Sequence, residues 1–146
     1  MHYSVYYTAQ SLLCKLCRNF ERSEGLHTIK RMSSKWLQVT GLLGLSAVVL
    51  GAYGAHGMKD RSEAMKETWR TATNYHFIHT LALAVSATAF HGRKRNVVCT
   101  LFTGGIVVFS GACYTVALMN ERQPYAQFAP VGGFMLMGGW IALGFL

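Results

Sequence analysis

The sequence predicts an all-α integral membrane protein, a four-helix bundle with a short interfacial amphipathic helix. Hydrophobic residues make up 51% of the chain and charged residues only 14%, a balance too apolar for an ordinary soluble domain. A helix needs roughly 20 uncharged residues to cross a hydrocarbon layer about 30 Å thick. Four windows of suitable length contain no Lys, Arg, Asp or Glu, and we predict spans at about 36–55, 74–91, 97–119 and 128–146.

Residues 1–35 are predicted to form a basic, poorly structured N-terminal extension that precedes the transmembrane domain at 36–146. A mitochondrial transit peptide would be rich in arginine and poor in acids, so Glu21 and Glu24 count against that interpretation. A natural start at Met32, followed by a short polar stretch and the first apolar run, stays open as an alternative.

Positive charge is distributed unevenly between the loops. Nine of the 14 basic residues lie before residue 36 or in the connector 93–95, and five lie in the connectors 56–74 and 120–127. By the positive-inside rule, both termini face the cytoplasm or an equivalent compartment such as the mitochondrial matrix. A start at Met32 would leave four basic residues on the side of the termini and five on the opposite side, which removes most of the support for this topology.

An anionic membrane surface explains the net charge of +8 better than nucleic acid does. We therefore expect the lipid bilayer, and no nucleic acid, as a partner.

Small residues recur at spacings of three or four in the predicted spans, a pattern that lets membrane helices approach closely. The first span also contains the apolar core of a signal peptide, with small residues near Gly54, so its cleavage stays open as an alternative to a retained span. Helix-packing roles are predicted for eight glycines: Gly44, Gly51, Gly54, Gly104, Gly111, Gly132, Gly133 and Gly139.

The segment 58–73 is predicted to be the interfacial amphipathic helix. Met58, Met65, Trp69 and Ala72 fall on one helical face and charged residues occupy the rest, a pattern typical of an amphipathic helix. We expect the apolar face to rest on lipid headgroups.

Polar side chains persist where this segment turns into the second apolar run. Such groups are costly in hydrocarbon and are usually turned toward partners, water or a site. Three interpretations stay open: hydrogen bonds that fix helix register, a haem or metal site built from neutral imidazoles, and a path for protons or a small solute. No carboxylate or cysteine is obviously placed to complete a metal site, so no cofactor is predicted. The predicted polar cluster is His56, Asn74, Tyr75, His76 and His79, of which the three histidines are the candidate metal ligands.

Four pieces of sequence carry a family resemblance: GAYGAHG at 51–57, NYHFIHTLAL at 74–83, FSG at 109–111 with Tyr114 further on, and APVGG at 129–133 leading to GGW at 138–140. Together they resemble the small membrane-protein family that includes transmembrane protein 256 and its bacterial relatives, a family with no assigned function. The resemblance covers about residues 36–146. It implies a multi-pass helical protein of the mitochondrial inner membrane in a eukaryote, or of the plasma membrane in a bacterium, and it implies no known reaction.

Sequence patterns of enzymes are missing from the chain. It contains no Ser-His-Asp order, no phosphate loop and no acidic residue within the spans, so we expect that the protein is not an enzyme. The glycine stripes favour an interaction or assembly role, through self-association or a larger membrane complex. The alternatives are haem or metal binding through His56, His76 and His79, and transport of a small solute or protons.

Overall fold

The structure is a computed structural model that describes residues 35–121 and 124–146. The N-terminal extension and the alternative start at Met32 lie outside the described residues. The predicted all-α class is confirmed, because the described ranges contain helices and no strand. The helices are α1 (Lys35–Gly57), α2 (Glu63–Ala89), α3 (Gly92–Met119, with a π-helical turn at Ile106–Ser110) and α4 (Ala129–Phe145), which follows a 3-10 turn at Tyr125–Phe128.

Three helical segments are long and apolar enough to cross a membrane: Lys35–Gly57, Gly92–Met119 and Tyr125–Phe145. The first and second of these segments correspond to α1 and α3, and the last joins the 3-10 turn to α4. In α2 the apolar run is shorter and is interrupted by Asn74, His76 and His79. Among the described residues, the second predicted span carries four of the five buried polar side chains: His76, His79, Thr80 and Ser86.

The amphipathic segment and the second predicted span form one continuous helix, α2, rather than two elements. Ser62 is the N-cap residue, and its carbonyl accepts hydrogen bonds from the backbone N–H groups of Met65 and Lys66. The predicted apolar face is buried against α1 and α3 rather than exposed at the membrane surface, since Trp69 is only 2% exposed and packs with Tyr114. The bundle thus extends beyond the apolar run of α2 through the first turns of this helix.

The helices pack in sequence, α1 against α2, α2 against α3 and α3 against α4. The core has two parts, one at each end of the bundle. The part near the α2–α3 connection contains Leu83, Val98, Phe102, Ile106 and Leu136, among others. The part near the α1–α2 connection contains Met58, Met65, Trp69, Ala72, Tyr114, Val116 and Ala117.

Candidate functional site

His76 is a titratable side chain enclosed by three helices. It is 4% exposed. Its Nε2 lies 3.5 Å from the Ser46 hydroxyl of α1, and its Nδ1 lies 3.4 Å from the Tyr114 hydroxyl of α3. Both ring nitrogens therefore face a hydroxyl oxygen, and the Ser46 hydroxyl itself donates to the Leu43 carbonyl at 2.9 Å.

The polar contacts of His76 continue toward one end of the bundle through Tyr114. The Tyr114 hydroxyl donates to Thr73 Oγ1 at 3.4 Å. The result is a chain of hydroxyl and imidazole groups, Thr73 to Tyr114 to His76 to Ser46, which we call the His76 chain. Its contacts are longer than ideal hydrogen bonds, so proton transfer along it requires them to shorten.

His79 lies one turn further along α2 and has different partners. Its Nδ1 is 2.7 Å from the Tyr75 carbonyl, and its Nε2 accepts a hydrogen bond from the Trp140 indole of α4 at 3.1 Å. A carbonyl only accepts and an indole N–H only donates, which fixes the neutral tautomer with its proton on Nδ1. Both nitrogens of His79 are thus occupied, Nδ1 by a bond within α2 and Nε2 by a bond that ties α2 to α4.

The other members of the predicted polar cluster lie outside the bundle interior. His56 is exposed at the end of α1, and Asn74 is exposed on α2. Tyr75 is 42% exposed, with its ring stacked on His79. Within the described ranges no three His, Cys, Asp or Glu side chains converge as metal ligands.

Seven of the eight predicted packing glycines face another helix of the same chain. A Cβ atom at Gly132 would overlap the backbone of Phe109 in the π turn, and one at Gly139 would lie 2.7 Å from the Phe102 ring. Gly111 has open space around it. The remaining five face these residues: Gly44 faces Thr80, Gly51 faces Thr73 and Phe77, Gly54 faces Trp69, Gly104 faces Met135, and Gly133 faces Phe109.

A basic groove of about 550 Å³ opens between the end of α1 and the first turns of α2. Its positively charged lining residues are Lys59, Lys66 and Arg70. Thr73, which accepts from Tyr114, also lines the groove, so the His76 chain begins there. The groove is thus connected by polar groups to the histidine within the bundle.

Two acidic residues flank this groove without lining it. Glu63 pairs with Lys66 at 2.9 Å and Glu67 pairs with Arg70 at 3.5 Å, and both carboxylates project into solvent. The Lys66 ammonium beside Glu63 holds the pKa of that carboxyl below its usual range. These exposed pairs contribute little to stability and keep the two cations beside the groove.

Several residues of this site were not predicted from the sequence. Ser46, Thr73 and Tyr114 complete the His76 chain, and Trp140 is the partner of His79. Tyr114 and Trp140 belong to the pieces of sequence that carry the family resemblance, which was a signal for their importance. The i, i+4 spacing of Lys66 and Arg70 was a signal that they share a helix face.

The fold and its polar interior define a small multi-pass helical membrane protein. The chain belongs to the family described as "Protein of unknown function (DUF423)", which matches residues 50–133. This confirms the resemblance to a family of small membrane proteins without an assigned function. No solved structure gives a significant match.

Relatives from yeast and bacteria are named UPF0382 membrane proteins. The protein from Schizosaccharomyces pombe is 35% identical over 112 residues, which cover 72% of this chain and 94% of the relative. The one from Haemophilus influenzae is 33% identical over 117 residues, covering 78% of this chain and 94% of the relative. The one from Staphylococcus epidermidis is 37% identical over 105 residues, which cover 70% of this chain and 85% of the relative. These names support a membrane location.

Proposed function

We propose that the protein passes protons across the membrane along a route that includes the basic groove and the His76 chain. The observation that supports this function is the His76 chain, which joins a groove residue, Thr73, to a titratable side chain among the membrane helices. Ionisable residues within a membrane are expensive and are usually functional. One turn beyond His76, the buried Thr80 hydroxyl has no hydrogen-bond partner among the described residues, which supplies a further polar position.

The proposed topology places both termini in the cytoplasm or matrix and the groove on the opposite side. This topology rests on the positive-inside rule, because nine basic residues lie before residue 36 or in the connector 93–95 and five lie in the connectors 56–74 and 120–127. The membrane would be the mitochondrial inner membrane in a eukaryote and the plasma membrane in a bacterium. The proposed role is passage and binding, so it assigns no catalytic residue.

Proton flux into liposomes that contain the purified full-length protein tests this proposal. We expect His76→Ala to reduce a flux driven by a potassium diffusion potential to the level of protein-free liposomes, because the substitution removes the titratable group. His56→Ala is the matched control, since that imidazole is exposed at the end of α1, and it should retain wild-type flux. Equal flux in wild-type and His76→Ala liposomes would reject the proposal, as would wild-type flux no greater than that of empty liposomes.

Assembly through helix packing is the second candidate function. It is favoured by Gly41, Gly111 and Gly144, where an added Cβ would meet nothing within 4 Å, so that a partner helix could approach closely. We expect blue-native electrophoresis from gentle detergent to give a band larger than the monomer. A monomer alone would remove this candidate, and it would leave the proton-passage proposal intact.

A further inference from the structure

The basic groove has a one-sided charge distribution. Lys59 comes from the α1–α2 connection, and Lys66 and Arg70 come from the first turns of α2. The groove lining contains no Asp or Glu. A concave surface lined by one sign of charge concentrates ions of the opposite sign, so the occupant that this groove favours is an anion.

Shape and local packing keep the groove open. Gly51, Gly54 and Ala55 form the α1 wall, where small side chains leave room beside α2. The Trp69 indole N–H donates to the Leu50 carbonyl at 2.9 Å, which fixes Trp69 as an opposite wall. A Cβ atom at Gly54 would overlap the Trp69 ring, so the two walls are already at closest approach. The groove therefore lies beside a close contact between α1 and α2.

The volume and the cations indicate the chemical class of the occupant. About 550 Å³ is within the usual range for small-molecule sites. A guanidinium binds phosphate oxygens through two parallel hydrogen bonds, and lysine ammonium groups add point charges. We propose that the groove binds a phosphate-bearing anion, either the headgroup of an anionic lipid or a free phosphate compound, through Arg70, Lys66 and Lys59.

The pairs with Glu63 and Glu67 are compatible with this role. Their carboxylates are 80% and 70% exposed, so exchanging them for a phosphate costs little electrostatic energy. Lys59 forms no ion pair among the described residues. Anion binding here does not depend on proton passage through His76, because the cations that carry it are separate from the His76 chain.

Isothermal titration calorimetry on the full-length protein in a neutral detergent tests the site. The probes are dihexanoyl phosphatidylglycerol, dihexanoyl phosphatidylcholine and inorganic phosphate. We expect at least one of the two anionic probes to bind saturably. Arg70→Gln and, separately, Lys59→Gln should weaken that binding by about tenfold, the effect of losing one hydrogen bond to a charged group. Arg93→Gln is the matched control, because it removes the same charge from an exposed residue at the start of α3.

The probes distinguish the source of the phosphate group. Binding of phosphatidylglycerol alone identifies a lipid headgroup, whereas binding of inorganic phosphate identifies a free phosphate compound. Three results would overturn the assignment: no anionic probe binds, phosphatidylcholine binds as tightly as phosphatidylglycerol, or Arg93→Gln weakens binding as much as Arg70→Gln does. His76→Ala should retain anion binding, so failure of the proton-flux proposal and failure of this one give different results.

Discussion

Replacing Gly132 by alanine should lower the free energy of unfolding by about 3 kcal/mol, the upper part of the range for overpacking a tight interface. A Cβ atom at this position would lie 2.7 Å from Phe109 Cα and would overlap the Phe109 backbone nitrogen. Phe109 lies in the π turn Ile106–Ser110, which brings its backbone directly against α4. A backbone group cannot rotate away as a flexible side chain can, so α3 and α4 must separate.

Gly133→Ala is the control for this substitution. The added Cβ would meet only the Phe109 ring, at 3.9 Å, which is ordinary van der Waals contact. Both changes gain about 1 kcal/mol of helix propensity, so the difference between them isolates the overlap at Gly132. The free energies of unfolding of the two variants are measured in mixed micelles that contain an increasing fraction of a denaturing detergent. Equal stabilities would contradict the close approach of α4 to the π turn.

Trp69→Ala should be the most destabilising large-to-small substitution in the first turns of α2, costing about 3 to 5 kcal/mol. The Trp69 ring is 2% exposed and lies 5.2 Å from the Tyr53 ring and 4.6 Å from the Tyr114 ring. The substitution also removes the hydrogen bond from its indole to the Leu50 carbonyl. Truncation therefore leaves a cavity between α1, α2 and α3 and removes a bond that joins α2 to α1.

The same detergent unfolding assay, with Glu67→Ala as control, distinguishes two positions for this part of α2. Glu67 is exposed and, among the described residues, its ion-pair partner is Arg70 alone, so its removal should change stability by less than about 0.5 kcal/mol. If the segment 58–73 lay on lipid headgroups, as the sequence suggested, Trp69→Ala would weaken membrane contact and leave the bundle nearly as stable as the wild type. That result would contradict the continuous α2 packing described above.

The sequence was sufficient for the fold class because uncharged windows of about 20 residues have few uses other than membrane helices. It was less informative about where α2 begins. The charges between residues 59 and 70 suggested a separate surface helix, although no glycine or proline occurs between Gly57 and Gly92 to interrupt the chain. That absence of helix breakers was the available signal for one long helix. Whether Trp69 faces lipid or Tyr114 depends on the path of α3, which local periodicity does not determine.

The candidate site was predictable in part. The spacing of His76 and His79 correctly indicated two imidazoles near one side of α2, but residues three apart still differ by about 60° around a helix. That angle directs His76 toward Ser46 and Tyr114, and His79 toward Trp140. The partners lie up to 61 positions away in sequence. Spacing within one helix therefore identified the side chains, while the packing of α1, α3 and α4 determined what each one contacts.

The proton-flux assay applied to Tyr114→Phe is the most direct test of the proposed path. This substitution keeps the ring that packs on Trp69 and removes only the hydroxyl between Thr73 and His76. Tyr53→Phe is the matched control, because its ring also packs on Trp69 and its hydroxyl is outside the His76 chain. We predict flux at the level of protein-free liposomes for Tyr114→Phe and wild-type flux for Tyr53→Phe. Wild-type flux through Tyr114→Phe would contradict a path that runs from the groove through Tyr114 to His76.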